Sequence, residues 1–235
     1  MNARYLPVLA VALWLSGCVM DTAHTSALQY DSNTVEMGAA ESVQVNLHMG
    51  AGELRVTDGS QKLMRADFTY NVPSWKPSVR YESTGGRGIL TVEQPGDHHG
   101  SLGKMKYQWD LQLNNKVPMD LKVSFGAGDA RLDLGSLALR SVEVDMGVGK
   151  LQMDLHGAPK HDYEVRVRGG VGEATIRLPS DIGIWAEAQG GIGAINVRGL
   201  RKEGDHWESD SYSRSKVKIK VDVQGGIGAV NLIAD

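Results

Sequence analysis

Val142-Glu143-Val144-Asp145-Met146-Gly147-Val148-Gly149-Lys150-Leu151-Gln152-Met153-Asp154-Leu155 is the stretch from which the fold of this chain is read. Apolar side chains at 142, 144 and 146 alternate with polar ones up to Gly147, and the alternation resumes at 151, 153 and 155. A period of two is that of a half-buried strand, so the stretch predicts strand, glycine turn, strand. The same triplet recurs as Gly50-Ala51-Gly52, Gly126-Ala127-Gly128, Gly170-Val171-Gly172, Gly191-Ile192-Gly193 and Gly226-Ile227-Gly228. The first glycines at 126, 147, 170 and 191 are spaced by 21, 23 and 21 residues. A repeat near twenty residues, each too small to bury its own apolar face, predicts stacked coils.

The expected fold is therefore all-β. It is a β-solenoid, a β-helix-like stack of two sheets with mostly parallel pairing, preceded by a less regular amino-terminal strand region. Glycine belongs at the corners because they require positive φ or a backbone approach that a Cβ would block. Residues 117–235 carry the regular coils. Residues 34–116 hold Pro73, Pro77 and Pro95 and the run Gly85-Gly86-Arg87-Gly88, so longer loops and antiparallel strands are expected there, capping one end of the stack. Strands are expected at 63–70, 78–81, 89–92 and 107–113. The last interval, between Gly191 and Gly226, is 35 residues, and its excess at 200–215 is rich in charge and serine. This segment reads as an insertion loop on one face, where function tends to reside on a repetitive scaffold.

At the amino terminus, Arg4, the apolar run 5–15 and Ser16-Gly17 have the layout of a secretion signal over residues 1–17. Leu15-Ser16-Gly17-Cys18 resembles the bacterial lipobox, in which the cysteine is lipidated on sulfur and becomes the new terminus. Cys18 is the one cysteine of the chain, which rules out an internal disulfide and leaves a secreted thiol that lipidation explains. Residues 18–33 read as the lipidated tether. Val19 after the cysteine implies the outer membrane of a two-membrane bacterium.

Later residues carry the family resemblance. Trp109-Asp110-Leu111, Leu113-Asn114-Asn115-Lys116-Val117-Pro118-Met119-Asp120-Leu121, Phe125-Gly126-Ala127-Gly128 and Leu132-Asp133-Leu134 resemble the toast-rack family from about Val35 onward. These are β-solenoid domains of the bacterial envelope, described as adhesins, and a related domain forms the carboxy-terminal part of Lia-type envelope-stress proteins. The resemblance implies the fold and supplies no catalytic residues.

Chemistry is sparse. The net charge of −3 gives no global attraction to nucleic acid. The glycine triplets lack the third glycine and following helix of a dinucleotide cradle. Only Asp129 sits where a repeat-toxin calcium coil would need carboxylates, so no calcium is expected. Asp97-His98-His99 is the only histidine cluster, and no metal or other cofactor is expected. No serine lies in a nucleophile elbow.

The candidate surface-binding residues are Lys216, Lys218, Lys220, Arg166, Arg168 and Trp185, all at outward positions. The lysines read either as a contact for anionic headgroups or cell-wall polymer, or as protection of a strand near the carboxy-terminal edge. Arg166 and Arg168 read either as a sugar-binding patch or as cross-strand charge pairs. Trp185 reads as covered by the 200–215 loop, against Trp207, or as a sugar-stacking platform. The expected function is that of a lipid-anchored, non-catalytic envelope protein with an adhesin-like or scaffolding role. Its partners would be the membrane, through the lipid, and an envelope polymer or protein. Two alternatives stand beside this: binding to or acting on envelope polysaccharide, and partnership in envelope-stress signalling.

Overall fold

Each glycine triplet bends one long strand; it does not join two short ones. In the computed structural model, which describes residues 26–96 and 105–235, six strands of 15 to 17 residues run through their triplets without a break: β2 (Ser42–Asp58), β7 (Met119–Asp133), β8 (Leu139–Asp154), β9 (Tyr163–Leu178), β10 (Gly183–Arg198) and β13 (Lys218–Ala234). They pair in parallel, so the expected two walls are the two arms of a single bent sheet. In β7 the first arm buries Leu121, Val123 and Phe125; after the corner the buried positions are Ala130 and Leu132. The alternation changes phase at the triplet, so both arms point their apolar side chains into one shared core.

The corner has a steric cause. The second glycine of each triplet has φ between +125° and +144°. A Cβ on Gly128 would lie 2.0 Å from the carbonyl oxygen of Gly52, one on Gly149 1.8 Å from that of Gly128, and one on Gly172 1.8 Å from that of Gly149. No side chain fits between coils stacked that closely, and no L-residue adopts that φ at low cost. At β2 no earlier corner exists to receive the turn. There the buried Gln94 substitutes, its Oε1 accepting from the Gly50 and Ala51 amides at 2.9 and 3.2 Å.

The amino-terminal region builds a split cap. The first arm of β2 pairs in parallel with β5 (Arg87–Glu93) and its second arm with β6 (Tyr107–Leu113). β4 (Ser78–Thr84) then adds antiparallel to β5, while β3 (Met64–Tyr70) and β1 (Gln29–Val35) add antiparallel beyond β6. Trp75, from a short 3-10 turn at Pro73–Trp75, packs edge-on to Tyr107 at 5.5 Å, and Phe68 edge-on to Trp109 at 5.7 Å. These large rings close the core where the coils begin.

Two expectations are corrected. The tether was expected through residue 33, yet Gln29–Val35 forms β1. It is a polar edge strand with Val35 as its one buried residue, so alternation could not reveal it. Its Asp31 accepts a 2.5 Å hydrogen bond from the Tyr70 hydroxyl, which holds the carboxyl below its usual range, and Tyr70 is pushed up to about 12 by burial and by that carboxylate. The second correction concerns order. The coils stack as β2-β7-β8-β9-β13-β10, with β13 inserted between β9 and β10. β10 and β13 carry the same six-residue corner, Gln-Gly-Gly-Ile-Gly-Ala at 189–194 and 224–229, and pair in register through it. The segment between them forms a small hairpin, β11 (Arg201–Glu203) and β12 (His206–Glu208), on the outer side of β10. Residues 1–25, with the expected secretion signal and Cys18, and the cluster Asp97-His98-His99 lie outside the described residues. Among the described residues no helix is long and apolar enough to cross a membrane.

The core changes character along the stack. Met49, Phe125 and Met146 fill the corner in the first three coils, and Gly169, Gly225 and Gly190 occupy the same column in the last three. A cavity of about 30 Å³ remains beside them, lined by Met146, Val167, Val223 and Val230. This separates two kinds of glycine. Gly172→Ala puts a Cβ onto a carbonyl and is expected to destabilise by more than ~3 kcal/mol. At Gly169 the φ lies outside the left-handed range and the nearest atom to a Cβ would be Met146 Cγ at 3.6 Å. Gly169→Ala is therefore expected to be neutral or to stabilise by roughly 0.5 kcal/mol. Urea unfolding followed by circular dichroism checks both; equal losses would refute the corner account.

Candidate functional site

The outer face of the first arms, near the β10 end, gathers most of the outward residues singled out by sequence. Register places Ser141, Glu164, Lys220 and Trp185 in one row across β8, β9, β13 and β10, and Glu143, Arg166, Asp222 and Glu187 in the next. A shallow depression of about 530 Å³ lies there, lined by Arg140, Asp162, Glu164, Trp185, Tyr212, Lys218 and Lys220. Trp185, Lys218 and Lys220 therefore come together, as the alternation predicts. Lys216 does not join them: strand β13 begins at Lys218, and Lys216 sits exposed in the bend before it.

Two observations decide what this face can do. The first is that its arginines are paired with carboxylates. Arg168 reaches Glu143 at 3.0 Å and Asp145 at 3.3 Å across the β9–β8 pair, and Lys122 reaches Glu143 at 3.3 Å. Arg168 and then Lys122 hold the Glu143 carboxyl below its usual range. Arg166 pairs with Glu164 at 2.6 Å on its own strand. The arginines are therefore cross-strand and same-strand partners on a solvated sheet. The lysines are also not edge guards, because β13 lies inside the sheet.

The second observation is the state of Trp185. The hairpin covers it, as the loop reading expected, but His206 is the covering group in place of Trp207. The His206 ring stacks on the indole at 5.0 Å and 26°, from the β12 side. From the β13 side Lys220 Nζ lies 4.9 Å from the ring centroid. Both faces of the indole are occupied, so it offers no free platform for a sugar ring. Trp207 instead lies under Lys202 at 5.6 Å, and Lys218 sits over Tyr212 at 4.9 Å. Ser209 fixes the hairpin to β10. Its buried hydroxyl accepts from the Ile184 amide at 2.9 Å and donates to the Ile182 carbonyl at 2.8 Å. Hydrogen-bond capacity of this kind, on a serine in a polar stretch, has no periodic signature in sequence.

Among the described residues no group of three or more His, Cys, Asp or Glu side chains is placed to hold a metal ion. His156 is bound instead into a structural cluster, with Nδ1 2.7 Å from Asp154 and Nε2 2.9 Å from Asp235. Burial presses its pKa down, but the two carboxylates outweigh this and leave it raised.

The comparisons with known proteins agree with this geometry. The family model described as the N-terminal domain of toast_rack, DUF2154, matches residues 24–177, well over half of the chain. The chain belongs to the toast-rack family. A second model, described as the C-terminal part of LiaF, a cell wall-active antibiotics response protein, matches residues 127–232 of this toast-rack chain. Protein LiaF of Bacillus subtilis (strain 168) is 26% identical over 140 residues, covering 55% of this chain and 55% of LiaF. The chain thus spans about half the length of that relative. The crystal structure of a candidate cell adhesion protein from Clostridium sporogenes ATCC 15579 is similar with a TM-score of 0.86 and 36% identity, covering 88% of this chain and all of that one.

The His206–Trp185 stack can be tested by titration. The hydrogen bond to Asp205 at 3.1 Å raises the His206 pKa, burial opposes this, and Glu208 at 3.2 Å adds to the rise. A raised folded value means the imidazolium stabilises the hairpin fully below the unfolded pKa of about 6.5, and that this is lost as pH climbs through the folded value. Protonated imidazole against the indole quenches its emission. The fluorescence difference between the protein and His206→Gln is therefore expected to titrate with a midpoint above about 6.5. A midpoint at or below that value contradicts the carboxylate contacts of His206, and a difference that does not titrate at all contradicts the stack.

Proposed function

We propose that this protein is a lipoprotein of the bacterial envelope, held to the membrane through Cys18, with a non-catalytic adhesion or scaffolding role. The observation that carries the reading is membership of the toast-rack family together with a lone cysteine in the lipobox-like sequence Leu15-Ser16-Gly17-Cys18. The geometry is in keeping with such a role. A sheet whose outward Arg166 and Arg168 are paired with carboxylates, and whose Trp185 lies between His206 and Lys220, is built for rigidity more than for turnover. Acyl chains on the terminal cysteine would give lasting attachment, since a single chain binds a bilayer only marginally. The residue after the cysteine, Val19, favours the outer membrane. On this reading the coils act as a stiff spacer, with an envelope polymer or protein as partner.

A second reading has one observation in its favour. The coils at 127–232 match the carboxy-terminal model of a protein named for its response to cell wall-active antibiotics. On that reading the coils dock a membrane partner in envelope-stress signalling, and loss of the gene alters sensitivity to such antibiotics.

Mass spectrometry of protein from native membranes tests the main proposal. The amino-terminal peptide is expected to begin at Cys18 and to carry a diacylglyceryl group and an added acyl chain. Cys18→Ser is expected to move the protein from the membrane fraction to the soluble fraction. An unmodified Cys18 in the membrane-fraction protein would overturn the anchor.

A further inference from the structure

The corners carry a graded ridge. Register aligns the middle residues of the triplets as Ala51, Ala127, Val148, Val171, Ile227 and Ile192, in the order in which the coils stack. The side chains grow along that order, and the last four are 45% to 72% exposed on the outer side of the bend. The charges beside the ridge fade in the same direction. Just past the second glycine, Lys150 and Glu173 give way to Ala229 and Ala194. Two residues before the first glycine, Asp145 and Arg168 give way to Gln224 and Gln189. The charges that remain beside Val148 and Val171 pair with one another, Arg168 with Asp145 at 3.3 Å and Lys150 with Glu173 at 3.5 Å. From β8 to β10 the bend is therefore a convex apolar strip, flanked by paired charges or by none. The amino-terminal strand starts on this same edge. Glu53 pairs with Gln108, Gln108 with Thr69 and Thr69 with Tyr30, so β1 begins level with the corner of β2. Leu28 and Tyr30 are exposed there, and the described chain starts just beyond them at Ser26.

We propose that the bend edge faces the bilayer and that Val148, Val171, Ile227 and Ile192 dip into the boundary between headgroups and acyl chains. The inference rests on the Cys18 anchor and adds the face that the anchor turns toward the lipid. Residues 18–25, fully extended, reach at most about 28 Å. An anchor at Cys18 therefore keeps the edge from which β1 starts close to the membrane surface. Exposed Val and Ile gain by leaving water, and paired charges beside them cost less to bring near hydrocarbon than free ones. A convex ridge also suits a deformable lipid surface more than a shaped protein partner. Four side chains are too few to hold the protein at a bilayer unaided, so the ridge sets orientation and the lipid supplies attachment. The stack then lies along the membrane at its bend, and both arms, with the β11–β12 hairpin, stand away from it.

Fluorescence quenching in vesicles tests this. Ile192→Trp and Val148→Trp place a probe at either end of the ridge, each at an exposed position. Ser136→Trp places one in the exposed turn between β7 and β8, at the opposite edge. Each protein is purified from native membranes and reconstituted in vesicles of phosphatidylethanolamine and phosphatidylglycerol, and mass spectrometry of the same sample reads the state of Cys18. Bromination of the lipid acyl chains is expected to lower the emission added over wild type at least about twofold for both ridge probes, and to leave that of Ser136→Trp unchanged. With Cys18 lipidated, no quenching at either ridge position, or equal quenching at Ser136, would overturn the ridge and leave the anchor standing. Ridge quenching with a bare Cys18 would support the ridge and overturn the anchor. A bare Cys18 with no quenching would overturn both.

Discussion

The close approach of one coil's carbonyl to the next coil's glycine governs this molecule. Six corners lie in one column, and at each the second glycine has a φ reserved for residues without a side chain. This contact fixes the spacing of the coils and the angle between the two arms. Once spacing and angle are set, the inward alternation of Val, Leu, Ile and Met follows in both arms, and the core is a column of like side chains on like. The cost of the arrangement is at its ends, where a coil has a neighbour on one side only.

The two ends are treated differently. At the beginning, bulk and polarity are both supplied. Trp75, Tyr107, Trp109 and Phe68 fill the core, and Gln94 offers a carbonyl where the previous corner would be. At the far end a short hairpin, held by Ser209 and by the His206–Trp185–Lys220 sandwich, covers the start of β10 and leaves the rest open. The glycine column at 169, 225 and 190 thins the core toward that end, and Val230 and Ile195 lean over the vacant positions. The two ends therefore differ: one carries the amino-terminal strand and a core closed by large rings, and at the other the outer edge of β10 is paired only at Trp185 and Ala186 among the described residues.

Much of the coil region was legible because its two signals are local. Alternation by two gave β6 its observed bounds of Tyr107–Leu113, and the Gly-x-Gly triplets gave every corner. What sequence could not give is order. The corners at 189–194 and 224–229 are identical, so periodicity assigns both strands to the stack without saying which lies next to β9. Reading the chain in sequence put Lys218 and Lys220 near an edge; the inserted β13 puts them inside the sheet. β1 was missed for a related reason, since a polar edge strand has no apolar face to betray it. The candidate site was half legible. Outward positions for Trp185, Lys218, Lys220, Arg166 and Arg168 followed from alternation, whereas the partners of the arginines and the rings and cations around Trp185 depend on which strands are adjacent.

The order of the last coils is therefore the point on which the account is most exposed. Spin labels on cysteines placed at outward positions, in a chain whose Cys18 has been replaced, measure it directly. With β13 between β9 and β10, labels at Arg166 and Asp222 sit one strand spacing apart, ~5 Å between backbones, and labels at Arg166 and Glu187 two spacings apart, ~10 Å. The account predicts strong dipolar broadening for the first pair and clearly weaker broadening for the second. The reverse ranking would mean that β10 stacks on β9 in sequence order, and would contradict it.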